Sequence, residues 1–201
     1  MTTLEEALHA QEQGANRVEL CRDLAVGGLT PEQPLMEAAC RALTIPVMVM
    51  IRPRAGGFVY SGDEADAMIR SIDHAREAGA AGVVLGLLGV DGGIDVETTA
   101  RLAAHAMPLE VTFHKAVDEL PDPVAAVRVL RAVTGVTRVL SSGGAATAQA
   151  GVPVLRRMVA VAGDELTIMG GGSVTEHNVD ELAELTGAAE FHGRRIVGDP
   201  G

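Results

Sequence analysis

The stretch that decides the fold is LEVTFHKAVDE, residues 109–119, in which an alternating, β-branched run leads into a polar turn. Side chains two residues apart on a strand point to the same face. Glu110, Thr112 and His114 therefore share one face of a predicted strand, and the valine and phenylalanine between them share the other. An acid, a hydroxyl and an imidazole in file need an explanation that the fold of the rest of the chain has to supply.

Similar short apolar runs recur along the chain, and an amphipathic helical pattern separates each run from the next. The strands are predicted at 17–21, 46–52, 82–88, 109–114, 137–142, 166–170 and 189–192. The helices are predicted at 3–13, 32–43, 63–78, 95–106, 122–133, 146–162 and 175–186. A strict alternation with a repeat of roughly 25–35 residues predicts a parallel sheet with helical crossovers.

Two α/β architectures fit this alternation within one domain, 1–201: a doubly wound open sheet, or a TIM-type (β/α)8 barrel short of one strand. Several strands carry polar or sulfur side chains on one face, and in a barrel such faces converge on a common interior, at the carboxyl-terminal mouth where barrel active sites are built. The barrel is therefore favoured. The residues that share a face are Glu19 with Cys21; Met48 with Met50 and Arg52; Glu110 with Thr112 and His114; and Glu190 with His192.

Composition narrows the class of partner. The formal net charge is −11, which argues against nucleic acid or an anionic membrane surface as the main partner. The first residues are polar and acidic, unlike a signal peptide, and no apolar run approaches the roughly 20 residues of a membrane span. With two cysteines, Cys21 and Cys40, we expect a reduced, cytoplasmic protein with free thiols.

A first candidate site is a set of carboxylates and imidazoles facing the interior. Crowding and burial shift the pKa values of such groups towards neutrality, which suits acid–base catalysis, and the same residue types also ligate metals. The alternative is a buried ion network that fixes strand register, with Arg52 neutralising the acids. The candidates are Glu19, Arg52, Glu110, His114, Glu190 and His192.

A second candidate is an anion site built from two glycine-rich loops, 141–147 and 169–176. Each follows a predicted strand and precedes a helix, where backbone amides can bind a phosphate. Tight turning alone is the alternative. The expected contacts are Ser142, Gly143, Gly171 and Gly172.

The stretch IRPRAGGFVYS, residues 51–61, predicts a loop that folds over the mouth of the barrel. Its two arginines, Arg52 and Arg54, suit a carboxylate or a phosphate in forked geometry. The alternative is an internal salt bridge to Glu19 or Glu110.

Soft-ligand chemistry is the third possibility, because Cu(I) prefers thiolate and thioether sulfur. Cys21, Met48 and Met50 are predicted to face the barrel axis, with His114 as a supporting ligand. The alternative is that the methionines only fill the core.

The chain resembles the CutC family, often labelled copper homeostasis proteins, over nearly its whole length. The motifs that carry the resemblance are RVELCRDLAVGGLTP, VMIRPRAGGFVYS, GLLGVDGGIDV, LEVTFHKAVDE, RVLSSGG, IMGGGSV and EFHG. The resemblance implies a TIM-type barrel, a cytoplasmic location, a homo-oligomer that is often a dimer, and an association with copper as Cu(I).

The resemblance also assigns recurring motif positions and marks a departure. The recurring positions are Glu19, Cys21, Arg52, Arg54, Glu110, His114, Asp118, Glu190 and His192. The family has a strand before the first helix and a helix after the last strand, and this chain is expected to lack both. We therefore expect a barrel with one open wedge, flanked by unpaired strands at 17–21 and 189–192.

Two functions follow from these observations. The first is a CutC-like copper-binding protein of copper homeostasis, with ligands at Cys21, Met50 and His114. The alternative is a TIM-barrel enzyme that acts by acid–base chemistry on a small anionic or phosphorylated metabolite. Its catalytic residues would be Glu19, Arg52, Glu110, His114 and His192. A third option is a scaffold whose polar mouth is a remnant.

Overall fold

A computed structural model describes residues 1–198, in which seven parallel strands alternate with seven helices. The strands are β1 (Val18–Leu20), β2 (Val47–Met50), β3 (Gly82–Leu85), β4 (Glu110–Phe113), β5 (Val136–Ser141), β6 (Thr167–Gly171) and β7 (Glu190–His192). The helices are α1 (Leu4–Glu12), α2 (Gln33–Ala42), α3 (Gly62–Ala78), α4 (Val96–Ala106), α5 (Pro123–Arg131), α6 (Val152–Ala162) and α7 (Val179–Thr186). Every predicted strand and helix is present.

Local signals in the sequence set the ends of the helices. At the start of α3, the Ser61 hydroxyl accepts a hydrogen bond from the Glu64 amide while the Glu64 carboxylate accepts one from the Ser61 amide. This reciprocal pair satisfies two amides that the helix leaves free. Gly79 and Gly187 end α3 and α7 with φ values of 87° and 73°, a left-handed conformation that favours glycine.

The sheet is curled so that one face becomes an interior. Its strands lie in chain order, β1 to β7, and neighbours pair in parallel throughout. Arg138 of β5 reaches both Glu110 of β4 and Glu190 of β7. The outer face packs against the helices through side chains such as Leu20 and Phe113, both fully buried.

The barrel has an open side between β1 and β7, whose backbones do not pair with each other in the part of the chain that the structure describes. Side chains bridge this gap: Arg17 Nη2 lies 2.6 Å from Glu190 Oε2, and His192 Nδ1 lies 3.9 Å from Glu19 Oε2. The prediction of a TIM-type barrel is confirmed, and within residues 1–198 it lacks one strand and one helix. The expected unpaired edge is found at β7 among these residues. It is wrong for β1, because the Met1 amino group donates to the Glu19 carbonyl at 2.6 Å and the Met1 carbonyl accepts from the Cys21 amide at 3.0 Å.

None of the helices within residues 1–198 is both long enough and apolar enough to span a lipid bilayer.

Candidate functional site

A cavity of about 700 Å³ occupies the curled interior and extends to the gap between β1 and β7. Most of the inward-facing side chains predicted from strand alternation line it. They include Glu19, Cys21, Met48, Glu110, Thr112, Glu190 and His192. The prediction that Glu19, Glu110 and His192 share one interior therefore holds.

Charges are paired at the amino-terminal end of the strands. Arg138 Nε lies 2.5 Å from Glu190 Oε2, and its Nη1 lies 3.0 Å from Glu110 Oε2. Arg17 Nη2 also donates to Glu190, at 2.6 Å. Burial by itself raises the pKa of Glu190, but the hydrogen bonds and charges of Arg138 and Arg17 lower it below its usual value. We call these four residues the paired end.

Glu110 and Glu190 were expected at the carboxyl-terminal mouth, and this placement is wrong. Each is the first residue of its strand, so both lie at the opposite end, where the two arginines hold them. Arg138 is not among the predicted site residues. Its position in the strand TRVLSS does indicate an inward side chain, because it shares a face with Leu140 and Ser142. A charged residue on the inward face of a buried strand requires a counterion.

At the carboxyl-terminal end, Arg52 is buried without a carboxylate. Arg52 is 6 % exposed. Its guanidinium donates hydrogen bonds to the carbonyls of Val26, Gly28 and Gly56 at 2.7, 3.2 and 2.8 Å. It forms no ion pair with any residue that the structure describes. The alternative of an internal salt bridge from Arg52 to Glu19 or Glu110 is therefore wrong.

His114 and Arg52 both pack against the ring of Phe58. The guanidinium carbon of Arg52 is 4.8 Å from the centre of the Phe58 ring, and the His114 ring centre is 4.9 Å from it. Burial, and then the charge of Arg52, lower the pKa of His114 to about 3, so the imidazole is neutral at pH 7. His114 Nδ1 accepts a hydrogen bond from the Ala116 amide at 3.2 Å, which places the ring proton on Nε2.

Three buried polar atoms at this end have no hydrogen-bond partner among residues 1–198: Arg52 Nε, Tyr60 Oη and His114 Nε2. Tyr60 follows Phe58 on the loop after β2, and Phe58 packs against both Arg52 and His114. That this loop folds over the whole mouth stays a prediction. We call Arg52, Tyr60 and His114 the donor cluster. Buried polar atoms without partners are uncommon and usually mark a missing water, ion or ligand.

Arg54, predicted to bind an anion, is engaged within its own loop. Its Nε lies 2.5 Å from Glu64 Oε1, and its two terminal nitrogens donate to the carbonyls of Gly57 and Val59 at 2.8 and 2.7 Å. It also stacks on the Tyr60 ring at 4.9 Å. Arg54 thus shapes the loop that carries the donor cluster.

The sulfur side chains of Cys21, Met48 and Met50 form a buried cluster of their own with Val84. A Cβ built on Gly28 would lie 3.5 Å from Cys21 Sγ and 3.6 Å from Met50 Cε, so the backbone of Gly28 closes over both. Burial raises the pKa of the Cys21 thiol. We call Cys21, Met48 and Met50 the sulfur cluster.

No group of three or more His, Cys, Asp or Glu side chains within residues 1–198 is arranged to hold a metal ion. The sulfur cluster offers a different donor set, one thiol with two thioethers. Thiolate with thioether is the donor set that selects Cu(I).

The loop that follows β5 holds a carboxylate of the protein itself. Asp118 Oδ1 accepts from the Ser141 hydroxyl at 2.5 Å and from the Gly144 amide at 2.9 Å. Asp118 Oδ2 accepts from the Ser142 amide at 2.9 Å, from the Ser142 hydroxyl at 3.0 Å and from Lys115 Nζ at 2.9 Å. Burial raises the pKa of Asp118, but these hydrogen bonds lower it below its usual value.

These contacts leave few free hydrogen-bond donors for an external anion at Ser142 and Gly143. The Gly143 amide donates to the Ser141 hydroxyl at 2.8 Å, so its hydrogen is also used. The Asp118 carboxylate accepts hydrogen bonds from the loop that was predicted to bind a phosphate. An anionic ligand would have to displace this carboxylate.

The second glycine loop follows β6, with Gly171 as the last residue of the strand. Gly172 has φ of 101°, and the exposed Ser173 has φ of 56°. The Gly172 carbonyl accepts from the Ala148 amide at 2.9 Å, which ties this loop to the preceding one. Tight turning thus explains Gly172, and anion binding at Gly171 and Gly172 stays a prediction.

Comparison with known proteins gives a consistent picture. Residues 1–197 match the model described as "CutC family". The chain is 42 % identical over 190 residues to a human protein named "Copper homeostasis protein cutC homolog", covering 94 % of this chain and 69 % of that protein. It is 47 % identical over 190 residues to a CutC family protein of Vibrio vulnificus (strain YJ016), covering 93 % and 76 %.

Solved structures agree. The putative copper homeostasis protein CutC of Streptococcus agalactiae superposes with a TM-score of 0.86 at 36 % identity, covering 90 % of this chain and 89 % of that one. An aldolase, QR15, superposes with a TM-score of 0.74 at 14 % identity, covering 98 % and 85 %. At that identity the aldolase shows the barrel fold alone.

Proposed function

This chain belongs to the CutC family, and on that premise we propose that it serves copper homeostasis by binding Cu(I) at the sulfur cluster. The observation that carries the proposal is the convergence of one thiol and two thioethers in a single buried group. Cys21 and Met48 also line the cavity, which gives the ion a route from solvent.

The chemistry of the donors fits this cargo. Soft sulfur ligands favour Cu(I) over harder divalent ions. The Cys21 thiol must lose its proton to bind the metal, and burial raises its pKa, so affinity is expected to rise with pH. We leave His114 out of the ligand set, because its Nδ1 accepts from Ala116 and its ring packs against Phe58.

The test is competition for Cu(I) against a chromophoric chelator under anaerobic, reducing conditions. Cys21→Ser is expected to lower the affinity by at least roughly 100-fold, since loss of an outer contact to a metal ligand already costs about 10–100-fold. Cys40→Ser is the matched control, because Cys40 is a half-buried thiol on α2, outside the sulfur cluster. Equal affinities for the two variants would exclude Cys21 as a ligand.

A second candidate is an enzyme that acts on a small anionic or phosphorylated metabolite, and the donor cluster favours it. This cluster lies at the carboxyl-terminal end of the strands, where barrel enzymes build their active sites. Glu110 cannot serve there with His114, since Arg138 holds it at the other end. Glu19 and His192 still face each other in the cavity at 3.9 Å and are the better acid–base pair.

A thermal-shift screen separates the two functions. Stabilisation by sugar phosphates without a response to Cu(I) would favour the enzyme, and the reverse would favour the copper-binding protein. Silence in both would favour a scaffold. Self-association and a cytoplasmic location stay predictions.

A further inference from the structure

The donor cluster lacks an acceptor. Among residues 1–198, four buried side-chain atoms have no partner, and three of them belong to Arg52, Tyr60 and His114. Arg52 and His114 both pack against the Phe58 ring, at 4.8 and 4.9 Å from its centre, and the charge of Arg52 acts on His114. Arg52 lies close to the Tyr60 hydroxyl: its charge and its contact with the hydroxyl partly offset the rise in pKa that burial causes, although the contact lacks the geometry of a full hydrogen bond. The three atoms therefore belong to one region.

Each of these atoms is able to donate a hydrogen bond. Arg52 Nε always carries a hydrogen, and the Tyr60 hydroxyl carries one at any pH below its titration. His114 Nε2 carries the ring proton, because Nδ1 already accepts from the Ala116 amide. Three donors without an acceptor favour a ligand atom that only accepts, which is the property of an oxyanion.

Charge favours the same ligand. Arg52 and His114 are 6 % and 5 % exposed, so Arg52 is a desolvated cation. Its guanidinium contacts backbone carbonyls, an aromatic face and the neutral Tyr60 hydroxyl, and none of these neutralises it. A buried charge without a counterion is costly, and a bound anion would remove that cost.

We propose that the donor cluster binds one oxyanion group, a carboxylate or a phosphate of a small ligand, through Arg52 Nε, Tyr60 Oη and His114 Nε2. The site is separate from the sulfur cluster, since no sulfur ligand is among its contacts and its charge suits an anion. It therefore does not depend on the copper proposal.

The loop at 53–60 controls access to this site. It carries Phe58, which packs against Arg52 and His114, and Tyr60, and all three donor atoms are shielded from solvent. A ligand reaches them only when this loop moves. The consecutive glycines Gly56 and Gly57 supply the backbone freedom, with Gly56 at φ of 87°.

The test is a titration of copper-free protein with sodium acetate and, separately, with sodium phosphate, at an ionic strength held constant with sodium chloride. We expect a saturable rise in Tm with at least one of the two oxyanions. Acetate alone would identify a carboxylate ligand, and phosphate alone a phosphoryl group. Nitrogen NMR of labelled imidazoles should show the His114 Nε2–H signal moving in the same titration.

Tyr60→Phe deletes one donor and keeps the ring, and we expect it to weaken oxyanion binding about tenfold or more. Thr99→Val is the matched control, because Thr99 Oγ1 is the remaining buried atom without a partner and lies on α4. This control should bind as the unmodified chain does.

Two results would overturn the proposal: no saturable response to either oxyanion, or equal affinity in Tyr60→Phe and the unmodified chain. If Tyr60→Phe folds poorly, the NMR titration of the unmodified chain decides alone. Loss of Cu(I) binding in Cys21→Ser bears on the sulfur cluster and leaves this test unaffected.

Discussion

The barrel contains two buried arginines within residues 1–198, and it treats them in opposite ways. Arg138 at the paired end is held by Glu110 and Glu190, with Arg17 completing the group. Arg52 in the donor cluster has no carboxylate and leaves its Nε without a partner. Arg138 neutralises the two glutamates that β4 and β7 place in the interior. Arg52 has an Nε hydrogen that no group among residues 1–198 accepts.

The number of satisfied hydrogen bonds distinguishes a structural arginine from a ligand-binding one better than residue type does. Both arginines lie on inward faces of strands or at strand ends, and both are almost fully buried. Only the account of hydrogen bonds distinguishes them. A saturated buried charge indicates a structural role, and an unsaturated one indicates a ligand.

The strongest challenge to this comparison is Asp118, which lies near the donor cluster in sequence yet is fully paired. Asp118→Ala would leave the Ser142 and Gly144 amides without their acceptor and would remove one acceptor each from the hydroxyls of Ser141 and Ser142 and from Lys115. We expect the free energy of unfolding to fall by about 3–4 kcal/mol. Denaturant unfolding measures it, with the exposed Asp164→Ala as control. A loss below about 1 kcal/mol would mean that pairing does not mark structural residues.

Arg138→Met tests the paired end directly. It leaves Glu110 and Glu190 without their shared partner, and we expect a loss of about 2–3 kcal/mol, moderated because both glutamates keep contact with water. The control is Arg131→Met, whose pair with Glu165 is exposed, at 34 % and 66 %, so its loss should stay below about 1 kcal/mol. Similar losses in the two variants would remove the distinction between buried and surface pairs.

The pH dependence of stability tests the other end. His114 has a pKa of about 3 in the folded chain against 6.5 when unperturbed, so the unfolded chain binds the proton first as the pH falls. The stability that neutral His114 contributes is complete above pH 6.5 and is lost below it, at about 1.4 kcal/mol per pH unit.

Between pH 7 and pH 5 this amounts to about 2 kcal/mol. The difference in free energy of unfolding between these two pH values should shrink in His114→Gln. It should persist in His177→Gln, which alters an imidazole that is 85 % exposed. An unchanged difference in His114→Gln would show that this imidazole accepts a proton in the folded chain.

Tyr60→Phe should have the smallest effect, and its sign is opposite to that at the paired end. In a buffer free of oxyanions, removal of a buried hydroxyl without a partner should raise the free energy of unfolding by about 0.5–1 kcal/mol. Chemical denaturation of the two chains in a chloride buffer provides the comparison. A clear loss of stability would show that the hydroxyl has a partner in the free protein.

The strands, helices and curled sheet were predictable because they depend on patterns that extend over many residues. Alternation placed Glu19, Glu110 and His192 on inward faces, and they do share the cavity. The same alternation predicted that Cys21, Met48 and Met50 face the interior, and the structure places them in one buried cluster.

The partners of the charged residues could not be read from the sequence. They depend on register and reach: Arg138 lies opposite Thr112, after a register shift between Val111 and Thr112, yet its guanidinium extends to Glu110 and across to Glu190. Parity along one strand gives the direction of a side chain, but not the partners that a long side chain reaches from a neighbouring strand. Glu110 and His114 share a face of one strand, yet Glu110 begins β4 and His114 follows its last residue, so they belong to different ends.

Tyr60 is the only tyrosine of the chain, and tryptophan is absent. Fluorescence excited at wavelengths that phenylalanine does not absorb therefore originates at one ring, which stacks against Arg54 and whose hydroxyl belongs to the donor cluster. The protein therefore carries an intrinsic fluorophore on the loop at 53–60. Stopped-flow emission would follow opening and closing of that loop in real time, without any added dye.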